Sequence, residues 1–287
     1  MKVLIAGSAG QLGRALQAAA PAGAEIVAPP RSAFDILDEV QVAGLVQTVR
    51  PGLLINAAAY TAVDKAESEP ETAHAVNAEA PGRLAAAAAA VGARFVHVST
   101  DFIFDGRSPA PYLPDAAPAP LCVYGETKLR GEEAVRLAHA GALIVRTAWV
   151  YAAQGGNFVR TMLRLMAERD EVRVVADQIG TPTSAAGLAR AIWALDAAGR
   201  TGTFHWTDAG VASWYDFAVA IQEEALAAGL LGRIVPVVPI RTSDYPTPAR
   251  RPAMSLLDKT ETWAVTGPAA HWRAELRAVI ARMKEDR

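Results

Sequence analysis

The amino-acid sequence predicts an α/β fold in which a doubly wound parallel sheet carries a smaller C-terminal lobe. Two observations lead to this prediction. Short runs of branched apolar residues alternate with helix-like stretches through the first half of the chain, and a glycine-rich turn directly follows the first run. Buried strands that alternate with helices indicate parallel βαβ units.

The elements of the first half follow this rhythm in order. A predicted strand opens the chain, and helix-like stretches then separate it from four further strands. The opening run, MKVLIAG, is typical of a strand and not of a cleaved signal peptide. The predicted strands are KVLIAG, EIVAP, PGLLINAAA, RFVHVST and ALIVRTAWV, and the helices are QLGRALQAAA, VAGLVQTVR, the alanine-rich run from Leu84 and the stretch that contains Lys128.

The rhythm changes after Trp149. We predict an amphipathic helix at 155–170, a strand at 173–178, a helix at 184–199 and irregular structure from Thr203 onward. Residues 1–150 are therefore expected to form a dinucleotide-binding domain. Residues 151–287 are expected to form mainly a substrate-binding lobe, with a strand near 172–177 returning to the main sheet.

Composition narrows the function classes. The 287 residues carry a net charge of -2, which gives no electrostatic footprint for nucleic acid or an anionic membrane. Cys122 is the single cysteine, so an internal disulfide and a multi-cysteine metal site are excluded, as suits a reducing cytoplasm. The longest apolar run, LAAAAAAVG, is too short to span a membrane.

The turn after the first strand predicts a dinucleotide site. Its glycines let the backbone turn tightly and approach a pyrophosphate, which then sits at a helix N-terminus where free N–H groups favour negative charge. A glycine pattern alone is a weak signal, but its position after an N-terminal strand makes the fold Rossmann-type. The turn residues predicted to bind cofactor are Gly7, Gly10, Gln11, Leu12 and Gly13.

The end of the second strand bears on cofactor choice. An acidic residue there would bind a ribose 2′-hydroxyl, whereas an arginine suits a 2′-phosphate. Arg31 follows this strand, so the sequence favours NADPH, with NADH left open. A solvated loop charge is the alternative for Arg31. Asp35 and Ile36 are expected on the adenine side.

Thr100, Tyr124 and Lys128 are the candidate catalytic residues. Thr100 lies at the carboxyl end of a predicted strand, where ligands bind in open α/β sheets. Tyr124 and Lys128 are four residues apart and so share a helix face. An ammonium near a phenol of pKa about 10 favours the phenolate, which assists proton exchange with a substrate oxygen. Taken singly, each residue type is more often structural: Thr100 as a strand-end cap, Tyr124 as a half-buried ring and Lys128 as a surface charge.

Longer motifs carry a family resemblance. The glycine turn, Thr100 and the Tyr124–Lys128 pair resemble the extended short-chain dehydrogenase/reductase superfamily. Within it, the chain resembles the dTDP-4-dehydrorhamnose reductase family along nearly its whole length. The matching segments are GQLG at 10–13, NAAAYTAVDKAESEP at 56–70, VNAEAP at 76–81, STDFIFDG at 99–106, VYGETKLRGE at 123–132, RTAWVY at 146–151, DQIGTPTSA at 177–185 and YPTPARRP at 245–252.

The resemblance implies that a reduced nicotinamide passes hydride to C4 of a dTDP-linked 4-keto sugar while Tyr124 protonates the alkoxide. It places Thr100 at the carbonyl and Lys128 at the ribose and beside Tyr124. Further cofactor-lining positions are Ala57, Ala58, Ala59 and Thr61. Expected substrate-side positions are Val63, Thr100, Asp101, Phe102, Tyr124, Trp149, Asn157, Gln178 and Arg251. Trp149 as a core residue and Arg251 as a loop ion-pair partner are the structural alternatives.

The chain departs from the family in two places. Some members bind Mg2+ through glutamates at a dimer interface, and Ala15 and Ala186 stand at those positions. We therefore expect no metal, and a monomer or weak homodimer. Phe102 stands where tyrosine is usual, so one sugar contact is expected to differ.

Two other readings share many of these features. A 4-epimerase or 4,6-dehydratase would have the same turn and Tyr/Lys pair, although dehydratases typically carry Thr-Asp-Glu at the strand end, where this chain has Phe102 third. A regulatory subunit of methionine adenosyltransferase also resembles this family. A reductase consumes NADPH in net amounts, whereas a 4-epimerase or 4,6-dehydratase does not. Turnover of substrate distinguishes a reductase from the regulatory subunit.

Overall fold

The computed structural model describes residues 1–286. Its strands are β1 (Lys2–Ala6), β2 (Glu25–Val27), β3 (Leu53–Asn56), β4 (Arg94–Thr100), β5 (Leu143–Thr147), β6 (Val150–Tyr151), β7 (Val172–Val175), β8 (Ile179–Gly180), β9 (Thr183–Ser184), β10 (Gly202–His205), β11 (Ala212–Ser213) and β12 (Val237–Ile240). Its α-helices are α1 (Gln11–Ala18), α2 (Glu39–Val49), α3 (Val63–Ala66), α4 (Pro70–His74), α5 (Ala80–Ala90), α6 (Val123–Ala138), α7 (Phe158–Glu168), α8 (Ala185–Ala197), α9 (Trp214–Ala228), α10 (Thr260–Thr266) and α11 (Trp272–Glu285).

A six-stranded parallel sheet in the order β10-β5-β4-β3-β1-β2 forms the centre of the fold. Every residue of β3 and β5 is buried, as expected for strands covered on both faces. From β1 the chain adds strands on both sides. Because all six strands are parallel, the carboxyl ends of β1, β3 and β4 lie at one edge of the sheet. The predicted α/β doubly wound architecture is confirmed.

Alternate residues of each strand enter two separate cores. On one face, Val3 and Ile5 pack with α1 and α8. On the other face, Leu4 and Ala6 pack with α2, α5 and α6. Because α8 lies in the second half of the chain, the sheet domain extends beyond residue 150 and includes α8 and β10.

A third core forms the small lobe. Buried residues of α7, α9 and α11 pack there around Phe217 and Trp272. The three helices form a core of their own, separate from the two cores of the sheet. The expectation of irregular structure from Thr203 onward is wrong, since β10, α9, α10 and α11 all lie in that region.

The strand that returns to the main sheet is not the predicted one. Residues 172–177 were expected to join it, but β7 pairs with β12 in a separate two-stranded sheet. The added strand is β10, which pairs with β5 in parallel register. A run of alternating buried and exposed residues, as in β7, fits a sheet with one covered face better than a doubly covered one.

Among residues 1–286, no helix has the length and apolar character needed to cross a bilayer.

Candidate active site

The proposed catalytic residues come from two adjacent elements. Thr100 is the last residue of β4, and its hydroxyl donates to Asp101 Oδ1 at 3.0 Å. Thr100 Oγ1 in turn accepts from Phe102 N at 3.2 Å and caps a short 3-10 turn at Asp101–Ile103. These bonds hold the threonine side chain in one orientation at the edge of the sheet.

Gly125 brings the start of α6 against this turn. A Cβ at Gly125 would overlap the Phe102 carbonyl oxygen, so only glycine allows the helix to come this close. Tyr124 then packs edge-on against Phe102, with ring centroids 5.3 Å apart. The Thr100 hydroxyl interacts with the Tyr124 phenol. The predicted Thr100–Tyr124 neighbourhood is present, and Gly125 is a determinant that sequence reasoning missed.

Desolvation dominates the electrostatics of Tyr124. Burial raises the pKa of Tyr124 above its usual value, and the bond from Thr100 only partly opposes this effect. Lys128 is not among the groups that shift this pKa, so its predicted tuning of Tyr124 stays a prediction. A protonated phenol is nevertheless the form that a proton donor requires.

Lys128 is buried deeply, with 2% of its surface exposed. Its Nζ donates to the Val98 carbonyl at 2.7 Å and lies 3.4 Å from His97 Nε2. Burial lowers its pKa to about 8, against the attraction of Glu132. Burying an amine with a single carbonyl acceptor costs free energy, and ionisable groups in such surroundings are concentrated at functional sites.

Asp101 is the third ionisable group at this edge. Burial raises its pKa to about 6, opposed by bonds from Ser255 and Thr100. Its Oδ2 atom is buried and has no geometrically good hydrogen bond within residues 1–286, which indicates that the Ser255 interaction is weak. A buried oxygen without a partner is rare in folded proteins and marks Asp101 as a candidate functional residue.

The glycine turn between β1 and α1 suits a phosphate. Gly7 has φ +78°, and a Cβ there would lie 2.6 Å from Ala58 N, so the turn sits directly on the segment after β3. A Cβ at Gly13 would overlap the Gly7 carbonyl. No side chain of the described residues caps α1, whose first turn lacks acidic residues, so its N–H groups can receive an anion.

A groove of about 240 Å³ extends from this turn towards the end of β2. Sequence reasoning predicted eight of its lining residues: Gly7, Gly10, Arg31, Asp35, Ile36, Ala57, Ala58 and Ala59. It missed Ser8, Ala9, Pro29, Phe34, Leu37 and Val76, which also line the groove. Ser8 could have been found from its place inside the glycine motif, and its hydroxyl donates to the Pro29 carbonyl at 2.7 Å.

Six predicted cofactor residues do not line this groove: Gln11, Leu12, Gly13, Thr61, Tyr124 and Lys128. The Leu12 side chain packs into the core against the sheet, so its predicted role could involve only its backbone. Gln11 instead accepts from Asn157 Nδ2 at 2.8 Å, and Thr61 is exposed on the loop before α3. Gln11 thus connects the turn to the small lobe.

On the substrate side, Arg251 reaches back from the small lobe to the sheet domain. Its guanidinium donates to both carboxylate oxygens of Asp64, at 2.9 and 2.7 Å. Arg251 is therefore the ion-pair partner that the structural alternative foresaw, and it lowers the pKa of Asp64. Val63, beside Asp64, packs in the small cluster around Tyr124 together with Phe102.

Trp149 has an unusual backbone. Its φ of +50° lies in the left-handed region, which is strained for a bulky residue and is often found at functional sites. Its indole stacks on Trp214 with centroids 3.5 Å apart and covers Gly180, where a Cβ would lie 2.7 Å from the ring.

Asn157 and Gln178 both have partners within the protein. Asn157 caps α7 by accepting from Arg160 N at 3.1 Å, while its amide contacts Gln11. Gln178 is buried and donates to Thr242 Oγ1 at 3.1 Å. Both are substrate positions only by prediction, and Asn157 lies nearer the glycine turn than expected.

No cluster of three or more His, Cys, Asp or Glu residues with metal-binding geometry is found among residues 1–286. Ala15 and Ala186 lie on α1 and α8, two helices packed against each other on one face of the sheet.

Comparisons with known proteins agree with this geometry. The model of the RmlD substrate binding domain family matches residues 1–285. A dTDP-4-dehydrorhamnose reductase of Escherichia coli strain K12 is 46% identical over 267 residues, which is 90% of this chain and 89% of the relative.

Solved structures are also similar over the full length. A dTDP-4-dehydrorhamnose reductase from Clostridium acetobutylicum superposes with a TM-score of 0.93 at 39% identity, covering 99% of this chain and 100% of that one. The Bacillus anthracis enzyme of the same name, solved in complex with NADP, gives a TM-score of 0.92 at 37% identity, covering 98% and 99%.

Proposed function

The chain belongs to the RmlD family, and from this premise we infer that it is a dTDP-4-dehydrorhamnose reductase that uses NADPH to reduce the C4 ketone of dTDP-4-dehydro-L-rhamnose to dTDP-L-rhamnose. One observation carries the catalytic part of this inference. Tyr124 is buried beside the strand-end Thr100, at the same edge of the sheet as the glycine turn after β1, which fits a pyrophosphate.

The residues of the site suggest how the reaction is assisted. When bound, the nicotinamide supplies the hydride that adds to C4. Thr100 and Tyr124 orient the ketone oxygen, and Tyr124 donates its phenolic proton to the alkoxide that forms. Because burial keeps Tyr124 protonated, the proton is available at neutral pH, and transfer to the more basic alkoxide is downhill.

Asp101 and the Arg251–Asp64 pair support the substrate side of the proposal. The unpartnered Asp101 Oδ2 suits a sugar hydroxyl, and Arg251 is partly buried where it pairs with Asp64. We propose that the sugar lies between Tyr124, Phe102, Val63 and Trp149. We propose that Asn157 and Gln178 contact the nucleotide half of the substrate.

Preference for NADPH over NADH follows from the groove. Arg31 is the cationic side chain among its lining residues, and a 2′-phosphate placed there would gain a charge-assisted contact. Asp35 in the same groove is not at the strand end where it would favour a 2′-hydroxyl. NADH is expected to bind more weakly.

We also propose a cytoplasmic enzyme that acts as a monomer or weak homodimer without a metal ion or nucleic acid. The lone, buried Cys122 suits a reducing compartment, and the alanines at 15 and 186 offer no carboxylate to an intersubunit metal.

One assay tests the activity. Purified protein is given dTDP-4-dehydro-L-rhamnose with NADPH or NADH, and both nucleotide oxidation and sugar product are measured. We expect one NADPH oxidised per product, with Tyr124→Phe slower by about two to four orders of magnitude in kcat and unchanged in NADPH affinity. A near-normal rate for Tyr124→Phe would refute the role of Tyr124.

The same assay addresses the other readings. Product formed without net NADPH oxidation would identify an epimerase or dehydratase. Binding of NADPH without turnover would favour a regulatory subunit.

A further inference from the structure

The buried face beneath Lys128 holds two polar side chains that the reaction described above does not use. Asn56 is the last residue of β3 and His97 lies opposite it on β4. Both are fully buried. Asn56 Nδ2 lies 3.2 Å from His97 Nδ1, and His97 Nε2 lies 3.4 Å from Lys128 Nζ.

The orientation of the Asn56 amide is fixed independently. Its Oδ1 accepts from Ala58 N at 3.1 Å, so its Nδ2 is the atom that faces the histidine. An amide nitrogen can only donate, so His97 Nδ1 must accept and carry no proton. A neutral ring then carries its proton on Nε2.

His97 is held neutral by its surroundings. Burial moves the pKa of His97 well below its usual value, and the charges of Lys128 and Arg136 act in the same direction. The ring therefore presents one N–H, and that N–H is directed at Lys128.

We propose that Asn56 and His97 are a positioning pair for the catalytic lysine, in which Asn56 fixes the histidine tautomer and the His97 Nε2–H points at the Lys128 amine. Two donors that face each other repel, whereas a neutral amine can accept the bond. The pair therefore disfavours the ammonium form of Lys128 and aims its lone pair at the ring.

Other groups around Lys128 set limits on this effect. Tyr124 and Glu132 lie on the same helix, and Glu132 attracts the ammonium. Glu132 is itself paired with Arg146 at 2.8 Å and with Arg136 at 2.7 Å, so much of its charge is already neutralised. Burial and the His97 N–H then act together against the charged amine.

The consequence for turnover rests on the proposed function, but the tautomer does not. Lys128 stands one helical turn from Tyr124, which gives up a proton in each cycle. An amine that exchanges its proton easily suits that position, and fixing its protonation equilibrium would set the alkaline limb of the pH profile.

The first test needs no substrate. The chain has five histidines and five lysines, so selectively labelled protein gives few NMR signals. In wild type we expect the 15N shifts of His97 to show a neutral ring with its proton on Nε2. A proton on Nδ1, or a charged ring at neutral pH, would overturn the proposal even if the enzyme proves fully active.

Two variants test the effect on Lys128. Asn56→Asp replaces the amide N–H by an oxygen and should move the ring proton to Nδ1. His97→Asn keeps a partner for Asn56 but removes the group facing Lys128. In both, we expect the midpoint of the Lys128 titration, followed by 13Cε shifts, to rise by roughly one pH unit. An unchanged midpoint in both variants would contradict the proposal.

Val96→Ala is the matched control for lost stability. Val96 is buried on the opposite face of β4, away from Lys128. This variant should lower Tm without moving the Lys128 midpoint or the alkaline limb of kcat. A shift of the same size in Val96→Ala would show that the effect is merely structural and would also refute the pair.

Discussion

At the scale of single residues, burial is the dominant influence on the chemistry of the site. Tyr124, Lys128 and Asp101 all lie at one sheet edge, and desolvation is the largest cause of each pKa shift. The sequence predicted which residues would meet there. It could not predict how deeply they would be buried, because burial depends on how closely α6 packs against the turn after β4.

Arg31 gives the first residue-scale prediction. Arg31→Ala should raise KM for NADPH about tenfold, which corresponds to the loss of one charge-assisted contact, and change KM for NADH little. Arg200→Ala removes the same charge from an exposed loop after α8 and should leave both constants unchanged. An equal loss for the two nucleotides in Arg31→Ala would assign Arg31 to general binding.

At the scale of elements, close helix packing positions the catalytic side chains. A single turn of π-helix at Ala75–Glu79 lets Asn77 reach across to Tyr60 and Thr127, with bonds of 2.9 and 3.3 Å. Gly131 of α6 meets the Asn77 backbone, where no Cβ would fit. This contact fixes the height of α6 above the sheet.

A pair of glycine variants tests that contact. Gly131→Ala should destabilise the protein by about 1–3 kcal/mol because two backbones must separate, and should lower kcat because Tyr124 and Lys128 move with α6. Gly44→Ala is the control, since no atom of the described chain lies within 4 Å of its added Cβ. It should stabilise α2 by about 0.5–1 kcal/mol without changing kcat. A similar change in Tm for Gly131→Ala and Gly44→Ala would contradict the proposed role of the contact between Gly131 and the Asn77 backbone.

Helix α9 was not predicted from the sequence because its apolar pattern is interrupted. Gln222 and Glu224 lie on its buried side and interrupt the apolar periodicity, yet both have partners: Gln222 accepts from Val235 N at 2.6 Å, and Glu224 binds two arginines of α11. Such partners are distant in sequence, so the pattern alone could not reveal them. The capping box of Ser213 and Asp216 was the available local signal.

At the scale of the whole molecule, the first half was predictable because apolar runs mark its strands, such as VLIA in β1, LLI in β3 and LIV in β5. The return of β10 to the sheet was not, since its four residues, GTFH, carry no such run. The division of the chain near residue 150 likewise placed α8 in the wrong lobe. Topology here depends on contacts between distant segments, such as α1 with α8.

Asp208 supplies a prediction for global stability. Burial raises its pKa to about 8, whereas an unfolded aspartate titrates near about 4. Its stabilising contribution is therefore complete below about pH 4 and is lost as the pH rises through about 8. Asp208→Asn cannot ionise and keeps an acceptor for Ser184 N, so its advantage over wild type should grow from about pH 5 to about pH 8, by up to about 1.4 kcal/mol per pH unit.

Chemical denaturation at several pH values measures this difference. A stability difference between Asp208→Asn and wild type that stays constant with pH would exclude a raised pKa for Asp208.

The stacked indoles of Trp149 and Trp214 have an optical consequence. Two parallel rings 3.5 Å apart couple their excited states, which gives a paired circular-dichroism signal distinct from that of the other four tryptophans. Trp149 belongs to the segment after β5 and Trp214 opens α9, and both pack against the core of the small lobe, so the signal exists only while α9 is packed on that segment. The protein thus carries a built-in spectroscopic reporter of the packing of its small lobe, readable without any added label.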